Sequence, residues 1–261
     1  MTNFYSKDQI IRISKGWVVP ILILLVWEYM AHQDPSHAYA FASIEDMIKA
    51  TKETWATGEL PQSLNASISR AVIGLLIGGS IGFILGTLMS VSRLVDSIFG
   101  PIYHLLRQVP LLGLTPLLSL WLGNGDPAKL FVVCLSAFYP LVLATYESLN
   151  QVEAKYREVG SVFKLSRSAT FFRILLPAAL PNIFTGLSFA LAFAWLATIG
   201  SEILFNAGAG LGNMMMNAQS LARMDTLIVV TILIGLLGFG MNFVINRLGD
   251  YLFRWRYTHK A

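Results

Sequence analysis

Residues 71–91 read AVIGLLIGGSIGFILGTLMSV, twenty-one consecutive residues without a charged side chain. The hydrocarbon core of a bilayer is about 30 Å thick, and a helix needs roughly 20 mostly apolar residues to cross it. The stretch therefore predicts a transmembrane helix. Glycine recurs at every fourth position within it, so one helical face carries hydrogen atoms instead of side chains and allows a second backbone to approach closely. These glycines are Gly74, Gly78, Gly82 and Gly86.

The composition of the whole chain agrees with a membrane protein. Of its 261 residues, 55% are hydrophobic and only 13% are charged, and the mean hydropathy is +0.60. A soluble domain carries roughly 25% charged residues, so an unassisted soluble fold is excluded, and the signatures of disordered and disulfide-rich chains are missing. The single cysteine, Cys134, lies in an apolar stretch and is expected to be a small buried side chain, not a nucleophile.

We predict an all-α polytopic membrane protein with about six transmembrane helices. Six apolar runs have roughly the required length of 17 to 25 residues. They are 13–31, 71–91, 99–122, 128–147, 177–199 and 226–246. The first run is marginal, because its uncharged part is short and Glu28 follows. In the third run, Pro110 and Pro116 are expected to break the helical backbone, and the freed groups must then face protein or a wet cavity.

The basic residues divide unequally between the two sides of the predicted membrane. Thirteen of the nineteen Lys and Arg residues fall on one side, which the positive-inside rule makes cytoplasmic together with both termini. The external five are Lys49, Lys52, Arg70, Lys129 and Arg223, and Arg107 lies within the third run. Alternatively, the N-terminus is a secretory signal, since residues 38–40 (AYA) have the small-x-small pattern of a cleavage site. The orientation of the other spans is the same in either case.

The sequence suggests three regions. Residues 1–70 hold the first span and an external amphipathic helix, residues 71–246 form the core transmembrane domain, and residues 247–261 form a cytoplasmic tail. Ser43, with Asp46 three residues on, is expected to cap the amphipathic helix, whose apolar residues recur at helical spacing until Gly58. This helix either lies on the outer membrane interface or docks an external partner.

Motifs for catalysis are missing from the sequence. Residues 78–82 (GGSIG) match the G-x-S-x-G pattern of hydrolases, but that pattern needs a strained strand-to-helix turn with a histidine and an acid nearby. Here it sits in a predicted apolar helix. The chain has neither an H-E-x-x-H metal pair nor a G-x-x-x-x-G-K-[ST] nucleotide loop. We therefore expect no enzyme activity, and no metal or cofactor bound by this chain.

Residues 148–176 form a long basic cytoplasmic loop. A helix over about 152–163 would bring Val159, Val162 and Phe163 together on one face. That face either offers an apolar knob to a cytosolic partner or packs on the membrane domain of the same chain.

The order of residues in this loop is more specific than its composition. Glu158-Val159-Gly160, three residues, Lys164, nine more residues and then Ile174-Leu175-Leu176-Pro177 resemble the E-A-A, x3, G, x9, I-x-L-P signature of ABC importer permeases. Other segments resemble the nitrate, sulfonate, taurine and bicarbonate permease family in particular, and the match covers roughly residues 60–255. The segments are 108–110 (QVP), 115–118 (TPLL), 121–123 (WLG), 127–130 (PAKL), 176–181 (LPAALP), 185–187 (TGL), 202–204 (EIL) and 210–212 (GLG).

This resemblance implies a type I ABC importer permease fold and a set of partners. The partners are a second permease copy, two cytoplasmic ATPase subunits that use ATP and Mg, and an external solute-binding protein. The implied ATPase-coupling residues are Glu158, Val159, Gly160, Val162, Phe163, Lys164, Leu176 and Pro177. Lys164 departs from the glycine of the family. If the turn there is left-handed, Lys costs about 1 kcal/mol relative to Gly, and Ser166 or Ser168 is expected to cap the next helix.

Polar residues at membrane depth are the candidates for a translocation pathway, because such residues are costly there and tend to mark function. They are Arg107, Gln108, Thr115, Ser119, Glu202 and Asn206. Arg107 alternatively snorkels to the interface, and Glu202 alternatively pairs with a buried cation or a backbone amide. A cationic lining suits a small anion, in agreement with the sulfonate, taurine, nitrate or bicarbonate solutes that the resemblance implies. The alternative function is a secondary transporter or channel subunit that works without ATP.

Overall fold

The computed structural model describes residues 7–33 and 41–254, and this part of the chain is helical and contains no β-strand. Its α-helices are α1 (Lys7–Ala31), α2 (Ile44–Ala56), α3 (Glu59–Val91), α4 (Arg93–Leu106), α5 (Thr115–Leu122), α6 (Asp126–Asn150), α7 (Ala154–Val162), α8 (Arg167–Thr170), α9 (Leu176–Phe205), α10 (Leu211–Ser220) and α11 (Met224–Leu252). A 3-10 turn at Leu111–Leu114 precedes α5, and a π-helix at Phe171–Leu175 joins α8 to α9. The predicted cleavage pattern at 38–40 and residues 255–261 of the predicted tail lie outside the described residues.

Four helical stretches of the described chain are long and apolar enough to cross a bilayer. They are Glu59–Val91, Asp126–Asn150, Arg167–Phe205 and Met224–Leu252, and each contains one of the predicted runs. A fifth span results if the bent pair α4 and Leu111–Leu122 is taken as one crossing. The run predicted at 13–31 corresponds to α1, whose described apolar part, Val18–Ala31, is shorter than the four long stretches.

The third predicted run, 99–122, is broken, and its two parts are bent by 81°. Pro110 lies at the break, where it cannot donate a backbone hydrogen bond and disfavours helical backbone at the residue before it. The predicted interruption at this proline is confirmed. Pro116 was also predicted to break the helix, and this prediction is wrong. Pro116 lies in the first turn of α5, where a missing N–H group is tolerated.

The glycine face of α3 packs directly on the backbone of α6. A Cβ atom added to Gly82 would lie 2.7 Å from the carbonyl oxygen of Phe138, and one added to Gly86 would lie 2.6 Å from that of Val142. Gly78 meets the Cys134 carbonyl in the same way. Lipid is as apolar as a leucine side chain, so close contact between backbones is a main source of helix association in a membrane. The close approach predicted from the glycine spacing is confirmed.

The core of the membrane domain lies between α6 and α9. Small and β-branched residues fill it, and they let the two helices pack tightly along most of their lengths. The fully buried members include Ala128, Val132, Val133, Ala137, Ala190 and Ala194. Leu176 packs against this cluster from the start of α9, so the N-terminal end of α9 is tied to the core.

The chain divides into two compact units, residues 1–60 with Met215–Ile232 and Pro61–Met214 with Leu233–Ala261. In the first unit, the predicted cap of α2 is confirmed, since the Ser43 hydroxyl accepts a hydrogen bond from the Asp46 N–H at 3.2 Å. Three apolar side chains of α2, Ile44, Ile48 and Trp55, are exposed. They share one helical face, as predicted for an amphipathic helix.

The Gly82→Leu variant tests the contact between α3 and α6. A side chain there must displace the α6 backbone, and overpacking of this kind typically costs about 1–3 kcal/mol. We expect a lower unfolding temperature of the detergent-purified protein, measured by size-exclusion chromatography after heating. Gly240→Leu is the matched control, because nothing lies within 4 Å of the Cβ position at Gly240 in α11. Equal stability of the two variants would contradict the proposed contact.

Candidate functional site

A cavity of about 690 Å³ opens between α4, α6 and α9 within the second unit. One face of α6 runs along it from Ser136 to Ser148, a distance of about 18 Å at the rise of an α-helix. The lining residues are Tyr103, Arg107, Gln108, Leu111, Ser136, Tyr139, Pro140, Leu143, Ala144, Glu147, Ser148, Gln151, Asn182, Thr185, Gly186, Phe189 and Phe193. The cavity is therefore an elongated groove with both apolar and hydrogen-bonding walls.

Arg107 and Gln108 reach this cavity from the break after α4. Arg107 is the C-cap residue of α4, and its guanidinium carbon lies 5.8 Å from the centroid of the Tyr103 ring. The Tyr103 hydroxyl donates a hydrogen bond of 2.8 Å to the carbonyl oxygen of Tyr139, which fixes the ring that Arg107 contacts. Arg107 is the one cation in the lining and Glu147 the one acid. The structure thus brings two of the six predicted pathway residues together.

Thr115 and Ser119 lie on α5, away from the cavity lining. Thr115 is buried, and the Ser119 hydroxyl donates a hydrogen bond to the Asn124 side chain. Neither is among the residues that surround the groove. Their assignment to a pathway stays a prediction.

Glu202 is enclosed at the end of α9 with an exposure of 0%. Its carboxylate accepts hydrogen bonds from the Ser67 hydroxyl at 2.8 and 2.9 Å, from the Gly212 N–H at 2.8 Å and from the Arg70 guanidinium. Arg70 donates also to Asp126 at 2.7 Å. This geometry matches the alternative in which Glu202 pairs with a buried cation, and it leaves the carboxylate outside the groove.

The loop between α9 and α10 is held by the same group of side chains. Asn206 ends α9 in a left-handed conformation with φ of 42°, which asparagine tolerates better than most residues, so a helix cap accounts for its presence. The carbonyl of Ala207 accepts from the Lys129 ammonium and from the Asn213 amide, and that of Ala209 accepts from Arg70. Lys129 is fully buried. We name Ser67, Arg70, Asp126, Lys129, Glu202 and Asn213 the Glu202 polar cluster.

Two glycines of the G-L-G segment make room for this cluster. A Cβ at Gly210 would lie 2.5 Å from Cδ of Glu202, and one at Gly212 would lie 2.7 Å from its Cβ. Sequence reasoning placed Arg70 and Lys129 only as external charges and missed their partners. One property of the sequence could have indicated these partners. An ionisable side chain near membrane depth is costly, so Arg70 and Lys129 each require a partner of opposite charge or a set of hydrogen bonds.

At the other end of the domain, α7 projects an apolar face. Val162 is 78% exposed and Phe163 is 72% exposed, and Val159 is also exposed. This face does not pack on the described part of the chain, in contrast to the alternative considered from the sequence. We call these three residues the apolar knob.

Gly160 lies beside the knob and is buried. A Cβ there would lie 2.7 Å from Cγ2 of Thr170, so α7 contacts α8 closely at this point. Glu158 is exposed beside the knob, and Pro177 is exposed in the first turn of α9. In the same loop, a hydrogen bond to Glu153 raises the pKa of the exposed Lys155 ammonium.

Lys164 adopts the left-handed conformation that the family glycine suggests, with φ of 49°. Its N–H donates to the carbonyl of Ser161 at 3.0 Å, and the N–H of Leu165 donates to the carbonyl of Gly160 at 2.9 Å. This pair of bonds is the Schellman motif, which satisfies the last carbonyls of a helix. Ser166 then caps α8, because its hydroxyl accepts from the Ala169 N–H at 3.2 Å. Both expectations for this turn are confirmed.

Comparison with known proteins identifies a family. Residues 78–256 match the family described as "Binding-protein-dependent transport system inner membrane component". A putative aliphatic sulfonates transport permease protein of Escherichia coli is 34% identical over 232 residues, which cover 89% of this chain and 88% of that protein. A bicarbonate transport system permease protein of Synechococcus elongatus is 31% identical over 190 residues, which cover 73% of this chain and 67% of that protein.

Solved structures show a related fold at low sequence identity. A chain of the MetNI methionine ABC transporter, in an inward-facing crystal form, matches with a TM-score of 0.64 and 16% identity. The match covers 75% of this chain and 97% of the other. The predicted fold class is confirmed.

Removal of Arg70 tests whether the Glu202 polar cluster is an electrostatic unit. An Arg70→Met variant leaves the Glu202 carboxylate buried without its cation, which typically costs roughly 3–5 kcal/mol. We expect the double variant Arg70→Met/Glu202→Gln to unfold at a higher temperature in detergent than Arg70→Met alone. The control is Arg223→Met, whose partly exposed pair with Glu53 contributes about 1 kcal/mol or less. Additive losses in the double variant would rule out the coupling.

Proposed function

We infer the function from a premise that the comparisons establish: the chain belongs to the family of binding-protein-dependent transport system inner membrane components. It is an ABC importer permease subunit of that family. We propose that it forms the translocation pathway for a small anionic solute of the sulfonate, taurine, nitrate or bicarbonate class, delivered by an external binding protein. We further propose that it acts in the inner membrane as a homodimer, with both termini and two ATPase subunits in the cytosol. The ATPase subunits use ATP and Mg.

The apolar knob on α7 carries this proposal. Val162 and Phe163 are large apolar side chains in a basic segment, and water surrounds them unless a partner covers them. Apolar anchors framed by polar groups are typical of protein interfaces. We assign the knob, with Glu158 at its edge, to the docking of a cytosolic ATPase subunit.

The connection from the knob to the groove is continuous. Gly160 lets α7 lie against Thr170, which ends α8 and is followed directly by the π-helix and α9. One face of α9 lines the groove with Asn182, Thr185 and Phe189. When ATP closes the ATPase pair, movement of the knob is passed to α9 as a rigid-body shift that opens the groove to alternate sides of the membrane.

The chemistry of the groove supports an anionic solute. Arg107 is exposed to the groove, and no ion pair to it occurs among the described residues. Serine, glutamine and asparagine side chains along the same walls supply further donors. Rings of basic groups and hydrogen-bond donors favour anions in membrane pathways. The names of the two curated relatives, for sulfonates and for bicarbonate, point to the same class of solute.

Replacement of Phe163 tests the docking role. Loss of a central apolar anchor typically costs about 2 kcal/mol, so Phe163→Ser is expected to weaken ATPase binding by about 30-fold. The measurement is titration of the purified ATPase subunit against the permease in nanodiscs. Phe172→Ser is the control, because Phe172 is also exposed but lies outside the knob.

Glu158→Lys is expected to express normally and to abolish ATP-driven uptake. Wild-type uptake by that variant would argue against docking at Glu158.

Replacement of Arg107 tests the solute class. Arg107→Gln removes the cation of the groove, and we expect ATP-driven uptake of an alkanesulfonate, nitrate or bicarbonate to fall by about tenfold, a barrier increase of about 1.4 kcal/mol. Arg107→Lys keeps the charge and is expected to retain most of the uptake. The assay uses proteoliposomes that contain the permease with its ATPase, supplied with its binding protein. Undiminished anion uptake by Arg107→Gln would exclude a pathway role for the cation.

A further inference from the structure

Three polar side chains are joined by hydrogen bonds on neighbouring faces of α9 and α11. Asn242 and Asn246 lie one turn apart on α11, and the Asn246 amide donates a hydrogen bond of 3.1 Å to the side-chain oxygen of Asn242. The Ser188 hydroxyl of α9 donates to the side-chain oxygen of Asn246 at 3.0 Å. We call these three residues the polar ladder. Asn242 lies about 15 Å along α11 from its end at Leu252, which is within the hydrocarbon region of a spanning helix.

An exposed amide at this depth needs a polar environment. Asn242 and Asn246 are both exposed on the surface of the chain, and the N–H₂ group of Asn242 has no partner among the described residues. An amide transferred to hydrocarbon without a hydrogen-bond partner costs several kcal/mol. The polar ladder therefore faces water or protein in the membrane, not lipid.

The polar ladder borders a second cavity of about 430 Å³ between α9 and α11. Close contact between the two helices at its inner end is possible because residue 249 is glycine, where a Cβ would lie 2.7 Å from Cε1 of Phe184. Thr185 and Phe189 line this cavity and also the groove that holds Arg107. The two cavities are thus neighbours around α9, and Thr185 offers a hydroxyl at their shared wall.

The opposite face of α11 has a different character. Val244 lies between the two asparagines in sequence and about 200° around the helix from Asn242. It is 66% exposed, and Leu248 and Tyr251 near the same face are exposed as well. This face is suited to lipid, so α11 has one wet side and one lipid side.

We propose that the polar ladder is a second wall of the translocation pathway, where neutral donors contact a small oxyanion in the inner half of the membrane. This inference rests on the proposed function and adds α11 to its pathway. Amide and hydroxyl donors bind an anion without an opposing full charge, and conduction requires binding weak enough for the solute to leave. The Asp250 carboxylate follows on the same side of α11, and its negative charge disfavours tight retention of an anion next to it.

The test uses single cysteines, which the sequence makes simple because Cys134 is the only native one. In a Cys134→Ala background, Asn242→Cys and Ser188→Cys report on the polar ladder, Gln108→Cys on the groove and Val244→Cys on the lipid side. Full permease complexes in membrane vesicles are treated with a water-soluble anionic methanethiosulfonate. Only a thiolate in contact with water reacts, so we expect the two ladder cysteines to react at least about tenfold faster than Val244→Cys.

The possible outcomes separate this inference from the proposed function. Fast labelling of Gln108→Cys together with slow labelling at Asn242 and Ser188 would overturn the polar ladder and leave the pathway proposal intact. Slow labelling at all positions would overturn both. Unlabelled Asn242→Cys that forms disulfide-linked dimers under a mild oxidant would identify the face as a contact between two copies, which also contradicts the inference. Equally fast labelling of Val244→Cys and Asn242→Cys would show that both faces of α11 contact water. This result would contradict the inference, which requires one face in water and one in lipid.

Discussion

The pairing of Glu202 with Arg70 is the interaction on which one end of the second unit depends. A carboxylate without exposure is tolerated only because a guanidinium, a hydroxyl and a backbone N–H surround it. Those donors come from α3 and from the start of α10, while Arg70 also reaches Asp126 at the start of α6. One buried charge thus joins the ends of three spans and sets the course of the loop after α9.

The rest of the same unit is organised differently. Where the Glu202 end is fixed by charge, this part is fixed by close packing, with the glycines of α3 against α6 and Leu176 against the core. The helix α7 contacts Thr170 through Gly160, while its apolar knob remains exposed. A domain that is fixed at one end and presents an exposed knob at the other can respond to a docking partner by tilting. The proposed coupling between ATPase docking at the knob and movement of α9 requires a domain that can tilt in this way.

The parts of this structure that depend on local sequence could be predicted. The length of the apolar runs predicts the spans. The four-residue spacing of Gly78 and Gly82 predicts the close contact between α3 and α6. The signature around Lys164 predicts the left-handed turn. The parts that depend on tertiary pairing could not. Arg70 and Glu202 are 132 residues apart, so nothing near either one identifies the other. Asn242 and Asn246 were not identified for another reason. The mean hydropathy of residues 226–246 is high, and a mean does not show that one helical face carries two amides.

The cations at membrane depth differ in whether the protein has already neutralised them. Arg70 is paired with two carboxylates, and Lys129 is enclosed and bonded to a backbone carbonyl. Within the described residues, Arg107 is exposed to a cavity and has no such ion pair. The Glu147 carboxylate lines the same cavity and offsets part of the field of Arg107, but the two side chains form no ion pair. Under the proposed function, an anion in the groove is therefore attracted by Arg107, at the break after α4, while Arg70 and Lys129 serve the architecture that holds the groove in place.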